Sequence, residues 1–519
     1  MPLSVLIWLP AASAVVAALL PPRLAGRVTL AGALGALALA IGYVLSSDPG
    51  GGGLQFVTDR VWISQLGIHY KLGLDGLNLF LILLTALVFA AGMLAASLRE
   101  WDRPRLFYFQ LALAESGVLG AFAAQDLALF VGFFDLMLIP FYFLIGAWGG
   151  PGRVPATTKL VIYTLVGSLF MLAGAIATGV IAGQGGRPDF VLSDIAQIEL
   201  PKGSQEWIFL CFAAAFLVKM PLFPLHAWMP DGYRAMPLPV LAVFSAVLSK
   251  VAAYGFLRVV LPVLPDAAAH FQTLILLIAL ASILYGSVMA FTQTDVRLIV
   301  GYSSIAQMGF ITLGIFSLRP EGAQGALLQM VNHGLVVAPL FFIIGLLAAR
   351  AGGSEDVRDM GGIAFRAPVL ASLFLITALA TLAMPGSANF VGEFLILLGA
   401  FQAKLVIAVV AFTGVILASV YMLRAYIRTM HGPPGARVDS TEIAAADAAV
   451  VVPLVAAIVA LAFYPQLPLA RSQSAVTGAV RTAQLIANPA RPPAASGALG
   501  PESRPPPGGV DHTGAGGRP

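Results

Sequence analysis

The sequence predicts an all-α polytopic integral membrane protein with about 14 transmembrane helices, and three observations lead there. Of 519 residues, 59% are hydrophobic and 10% charged, whereas an ordinary globular domain carries about 25% charged residues. Apolar runs recur along nearly the whole chain, each about 17–25 residues long, enough to cross a hydrocarbon core about 30 Å thick. The runs are continuous rather than alternating, which selects helices over a transmembrane barrel.

In order, the predicted spans are 3–20, 28–45, 76–97, 106–123, 127–147, 160–182, 207–228, 238–262, 270–292, 298–317, 324–349, 368–400 (long and interrupted), 405–428 and 448–464. The first run has no basic region before it and ends at PPR, so it reads as a retained helix rather than a cleaved signal. The spans divide into helices 1–3 (residues 1–105), a set of five (helices 4–8, 106–262), a second set of five (helices 9–13, 263–430) and helix 14 (431–465). A tail of residues 466–519 follows, rich in Pro, Gly and Ser and expected to be disordered from about 488.

Loop charge gives the orientation. Loops after odd-numbered helices carry Arg23, Arg27, Arg99, Arg103, Arg105, Arg153, Lys159, Arg234, Arg297, Arg350, Arg358, Arg366, Arg428 and Arg437. Those after even-numbered helices are acidic: Asp59, Asp126, Asp189, Asp194, Glu199, Glu206, Asp266 and Glu321. The positive-inside rule makes the first set cytoplasmic and places both termini on the outer side of a bacterial inner (plasma) membrane. Arg471 and Arg481 in the tail pull weakly the other way.

Composition also narrows the chemistry. The one cysteine, Cys211, cannot build an iron–sulfur cluster or an internal disulfide. No GxGxxG after a strand, GxxxxGK[ST] or paired-His haem pattern is present, so no cofactor, metal or nucleotide is expected on this chain, and no nucleic-acid partner either.

Four ionisable residues stand inside apolar spans: Asp135 in VGFFDLMLIP of helix 5, Lys219 in helix 7, Lys250 in FSAVLSKVAAYGF of helix 8, and Glu393 in NFVGEFLILL of segment 12. A charge at the bilayer centre costs at least about 2.5–3.5 kcal/mol, so each needs a reason to be there. A structural ion pair, Asp135 with Lys219, would be one. Snorkelling to an interface would be another, but Lys250 lies about a dozen residues from either end of its span, too deep for that. The four together read as a proton relay.

Prolines mark the same places. Helix 7 is interrupted at KMPLFP and segment 12 at MPGSANFVG, where Pro385 removes an amide donor and Gly386 and Gly392 loosen the backbone. Broken helices at membrane depth are tolerated in protein interior or beside water. The breaks fall on the fourth helix of each five-helix set, the placement expected of two inverted repeats. Polar residues thread the second set: Ser303, Ser304, Gln307, Asn332, His333 and Asn389. Taken singly, such residues are usually helix–helix hydrogen bonds. His333 is the best secondary relay candidate because imidazole titrates near neutral pH; Glu115, His226 and Gln307 join it as second-tier members.

Lined up, GLDGLNLFL, LMLIPFYFLIGAWGG, YTLVGSLFML, VKMPLFPLHAWMPD, LSKVAAYGFLR, YSSIAQMGF, NHG and PGSANFVGEFLIL resemble the M-type (NuoM) antiporter-like subunits of proton-translocating NADH-quinone oxidoreductase, respiratory complex I, over most of residues 66–430. The resemblance implies fourteen helices, inverted repeats with broken helices 7 and 12, and neighbouring L- and N-type membrane-arm subunits in the bilayer. It implies a role in translocation driven by quinone reduction elsewhere, with no redox centre on this chain. By it, Lys219 pairs with the helix-5 acid, Lys250 is the central relay lysine, and Glu393 ends the axis. The chain departs from the pattern in three places. Asp135 replaces a glutamate, Gln307 stands where histidine is common, and DGYRAMPLP replaces DAHTEAPT. Two other roles share these motifs: a subunit of a multi-subunit cation/proton antiporter or energy-converting hydrogenase, and a structural membrane subunit whose ion pairs only fix packing.

Overall fold

In the computed structural model, which describes residues 2–48 and 53–488, helices account for nearly every apolar run. Eleven of them are long and apolar enough to cross a membrane, and the helices Leu3–Leu19, Pro368–Thr381 and Ala388–Ala403 are apolar but shorter. The expected disorder of the tail falls mostly on residues outside those described.

Burial sorts the helices into layers. Val296–Phe316 and Pro320–Arg350 are enclosed along their most apolar stretches, and Leu238–Val263 nearly so, whereas Leu405–Met430 and Ala445–Phe463 leave most of their surface outward. Tight backbone approaches at glycine build the centre. A Cβ on Gly286 would lie 2.7 Å from the Ala306 amide nitrogen and 2.8 Å from the Tyr302 carbonyl oxygen; one on Gly399 would lie 2.5 Å from the Gly322 Cα. Such close crossings suit a lipid setting, where packing takes over from the hydrophobic effect.

Helix 5, read from sequence as continuous, is instead two pieces, Leu127–Leu136 and Leu138–Trp148. Pro140 explains the correction, because its ring clashes with the carbonyl four residues earlier, at Leu136, and it donates no N–H. Helix 7 ends at Lys219, well short of residue 228, and the chain passes the prolines into a short helix, Met229–Ala235. Segment 12 breaks as expected, between Pro368–Thr381 and Ala388–Ala403. Helix 8 carries a wide turn at Phe256–Val260, where the Leu261 N–H reaches back to the Phe256 carbonyl; Pro262 follows directly.

Besides short helices in the loops, a hairpin and a terminal helix were not read from the sequence. Gln55–Ile63 and Ile68–Leu74 form an antiparallel hairpin that sets Asp59 opposite Lys71. Gln466–Ala487, counted with the tail, is a helix packed on Pro320–Arg350 and Pro265–His270; its Leu469 carbonyl accepts a bond from Gln324 Nε2 at 2.9 Å.

One local motif occurs twice. Asp126 caps the Leu127–Leu136 helix by accepting the Leu129 N–H at 3.0 Å, and Asp295 caps Val296–Phe316 by accepting that of Leu298 at 3.2 Å. Each aspartate also sits in an isolated antiparallel bridge, Asp126 with Val191 and Asp295 with Asp356. The flanking bonds match: Leu127 N to Phe190 O (2.7 Å) and Leu192 N to Gln125 O (3.1 Å), then Val296 N to Glu355 O (2.9 Å) and Val357 N to Thr294 O (2.8 Å). In each case the start of one helix, Leu127–Leu136 or Val296–Phe316, is thus tied to the loop that leaves a later one, Arg153–Ala182 or Pro320–Arg350.

Candidate functional site

The first cluster lies where helix 5 breaks. Asp135 is half-buried one residue before the last position of its half-helix, and Ser168 on Arg153–Ala182 donates its hydroxyl to Asp135 Oδ1. Asp135 and Ser168 line an open pocket of about 450 Å³ with Thr164, Tyr142 and apolar neighbours. Lys219 is buried and donates from Nζ to the Phe134 carbonyl at 2.6 Å, its ammonium 3.2 Å above the centre of the Phe134 ring. The expected direct pairing of Asp135 with Lys219 is therefore corrected: among the described residues no ion pair joins them. They approach through the backbone of adjacent residues, near enough for their charges to interact. A break that frees the Phe134 carbonyl from its helical partner gives the ammonium an acceptor, so the aspartate, one methylene shorter than glutamate, can turn to Ser168 instead.

Lys250 lies deeper. It is 0% exposed, and Nζ donates to the Ser245 carbonyl at 2.8 Å on its own helix, with no carboxylate partner among the described residues. Its helix is anchored at the far end, where Arg258 in the wide turn pairs with Asp75 at 2.5 Å and donates to the Tyr254 hydroxyl at 2.9 Å. His333, on Pro320–Arg350, is buried within electrostatic reach of Lys250, and its Nδ1 has no protein partner.

The second cluster surrounds Glu393 on the half-helix Ala388–Ala403. Gln307 Nε2 donates to Glu393 Oε1 at 2.8 Å; Gln329 Nε2 donates to Gln307 Oε1 at 2.8 Å and reaches Glu393 Oε1 at 3.3 Å. Nearby, Asn332 Nδ2 donates to the Ala388 carbonyl at 2.6 Å, at the segment-12 break. Buried polar atoms without protein partners gather along this stretch: Gln329 Oε1, Asn332 Oδ1, His333 Nδ1 and both amide atoms of Asn389. Buried polar groups are nearly always satisfied, so such a line of them fits a wetted passage.

Glu115 and His226 stand apart. Glu115 is fully buried on Pro104–Ala123 with both carboxyl oxygens unpartnered. His226 packs between the rings of Phe223 and Tyr285, the latter 4.7 Å away. No hydrogen bond joins either to the four principal residues among those described. Ser303 bonds the Tyr421 hydroxyl at 2.8 Å, and Ser304 bonds the Val300 carbonyl of its own helix.

Two site residues were missed by sequence reasoning. Gln329 is four residues before His333 and so on the same helix face, a spacing that could have revealed it. Ser168 carries no local signal, because only the fold brings it to Asp135.

Outside the spans, the hairpin shares a polar cluster with the cap of helix 5. Asp126 Oδ2 accepts the His69 N–H at 2.9 Å, and the His69 ring contacts Asp59 at 2.8 Å. Burial pushes the Asp126 carboxyl up to about 6, against the pull of the N–H bonds from His69 and Leu129.

The chain is similar to known proteins over most of its length. Residues 124–418 match the family described as NADH:quinone oxidoreductase/Mrp antiporter, TM (Proton_antipo_M). The chain is 35% identical over 482 residues to NADH-quinone oxidoreductase subunit M of Rhodobacter capsulatus, covering 90% of this chain and 93% of that protein. It is 37% identical to subunit M of Escherichia coli K12, covering 84% and 87%. Among solved structures, a chain of respiratory complex I from Thermus thermophilus with bound NADH superposes with a TM-score of 0.85 at 33% identity, covering 94% of this chain and 100% of that one. A chain of the Mrp complex from Dietzia sp. DQ12-45-1b reaches 0.80 at 22% identity, covering 94% and 98%, a likeness of fold alone.

Proposed function

The chain belongs to the NADH:quinone oxidoreductase/Mrp antiporter transmembrane family, and from that premise we propose that it moves protons in the membrane arm of an NADH-quinone oxidoreductase, through Asp135, Lys219, Lys250 and Glu393. The observation that carries this reading is Lys250: a cation with no exposure, at mid-helix, bonded only to a carbonyl oxygen. Retaining an unpaired cation there costs about 2.5–3.5 kcal/mol or more and strengthens no packing.

The residues divide the work. Lys219 holds its proton against the Phe134 carbonyl and ring while Asp135 is held by Ser168. Moving the Asp135 and Lys219 charges further apart than they stand here destabilises the ammonium, because an opposite charge nearby favours the charged form and burial opposes it. The proton passes through water to Lys250, then past His333 and the buried amides to Glu393, which releases it outside. Quinone reduction on partner subunits supplies the energy, and L- and N-type neighbours flank the chain. Fourteen crossings, ten of them in two inverted five-helix sets and both termini outside, are the arrangement we favour; the twin aspartate-capped bridges and the two broken helices support it.

The test is proton pumping by the assembled complex carrying Lys219→Ala, with subunits identified after mild detergent extraction. Loss of pumping among quinone-site and iron–sulfur partners supports the reading. Normal pumping ends the relay, and co-purification with cation-antiporter subunits reassigns the complex.

A further inference from the structure

We infer that Gln329 is a positioning residue for the Glu393 carboxyl, holding Oε1 as a standing hydrogen-bond acceptor and leaving Oε2 as the oxygen that takes up and gives back the proton. The inference rests on the relay proposed above and adds a residue and an atom to it.

The geometry orders itself from Gln329. Its Nε2 donates to Gln307 Oε1 at 2.8 Å, which turns the Gln307 amide so that Nε2 faces Glu393 Oε1, also at 2.8 Å. The same Gln329 nitrogen lies 3.3 Å from Glu393 Oε1, so two N–H donors converge on one oxygen. Oε2 accepts no bond from any described residue. A carboxylate oxygen and the carbonyl oxygen of a neutral carboxyl both accept two such bonds. Neither amide therefore has to turn when the proton arrives: an O–H bond forms at Oε2 from a proton delivered by water, Oε1 becomes the carbonyl, and release breaks that O–H bond. No electrons move. An imidazole at position 307 would compete for the proton, whereas Gln307 cannot.

Gln329 is itself held by close packing. A Cβ on Gly392, the residue before Glu393, would fall 2.5 Å from Gln329 Oε1, 3.2 Å from its Cβ and 3.3 Å from its Cα. Glycine is thus required for the amide to keep its place, and Gly392→Ala displaces that amide without removing it.

Infrared difference spectroscopy on the assembled complex reads the carboxyl directly, with the Glu393 band identified by its loss in Glu393→Gln. Gln329→Met is expected to move the protonated C=O band to higher wavenumber, because the carbonyl loses donors, and to slow pumping on the order of tenfold, the worth of one hydrogen bond to a charged group. Gln329→Asn, which keeps a non-titrating amide N–H donor, is expected to return the band toward its native position. Gly392→Ala is expected to shift it in the same direction as Gln329→Met. A band unmoved in both Gln329→Met and Gly392→Ala overturns the inference. Normal pumping in Glu393→Gln instead removes the relay, while the band still decides whether Gln329 positions the carboxyl.

Discussion

At Asp126, burial and capping oppose each other, and the sign of the pH effect follows. Its folded-state value of about 6 lies above the ordinary 3.8 of a free carboxyl. Between those values the folded chain holds a proton that the unfolded chain has lost, so this residue's contribution to stability falls as pH rises from about 4 to 6 and is constant above. Asp126→Asn keeps a good helix cap and removes the buried charge. The variant is expected to exchange its His69 and Leu129 amide hydrogens with no step in protection between pH 4 and 6, where the native chain shows one. At Arg297, the guanidinium pairs with Glu355 and its Nη1 donates to the carbonyls of Tyr233, Arg234 and Met236 at 3.1, 3.1 and 2.9 Å. Arg297→Met leaves Glu355 and those carbonyls without their cation. The pair is only partly buried, with Glu355 22% exposed, so a loss of about 1–3 kcal/mol is expected, the cost of leaving the enclosed carbonyls without their donor, seen as a lower melting temperature of the purified complex.

At the scale of elements, the helices were legible wherever lipid alone dictates the answer. An apolar run of spanning length must bond its backbone internally, so the sequence located Val296–Phe316 and Leu405–Met430 to within a few residues. The hairpin escaped because QFVTDRVWI lies outside the lipid and its residues are largely exposed, so no apolar alternation marks a buried face. Gln466–Ala487 escaped because its Gln, Ser, Thr and Arg residues read as tail, and its apolar side is a narrow row, Val476, Ala479, Val480 and Ala483, that only packing reveals. The Asp135 to Lys219 contact was misread because Lys219 takes the Phe134 carbonyl beside the helix-5 break, an acceptor that side-chain pairing rules do not count. Glycine crossings give an element-scale prediction. Gly286→Leu drives a side chain into the backbone of Val296–Phe316, where a Cβ alone would already lie 2.7 Å from the Ala306 nitrogen. Overpacking of this kind costs about 1–3 kcal/mol, and the expected result is reduced recovery of assembled complex.

For the whole molecule, the fully enclosed helices Val296–Phe316 and Pro320–Arg350 carry Gln307, Gln329, Asn332 and His333, the nearly enclosed Leu238–Val263 carries Lys250, and Lys219 and Glu393 are buried on helices that turn their other faces outward. Orientation is testable independently of transport. With native Cys211 replaced, a cysteine at exposed Ser64 is expected to react with a membrane-impermeant thiol reagent added outside intact cells, and one at exposed Arg358 to react only after the membrane is opened. The reverse pattern would turn the chain over in the membrane.

The central claim is that an unpaired lysine at mid-membrane carries the proton across. It is tested most directly by the number of protons moved per electron in sealed vesicles containing the assembled complex with Lys250→Ala. The account predicts that the ratio falls while the complex remains assembled; an unchanged ratio would contradict it.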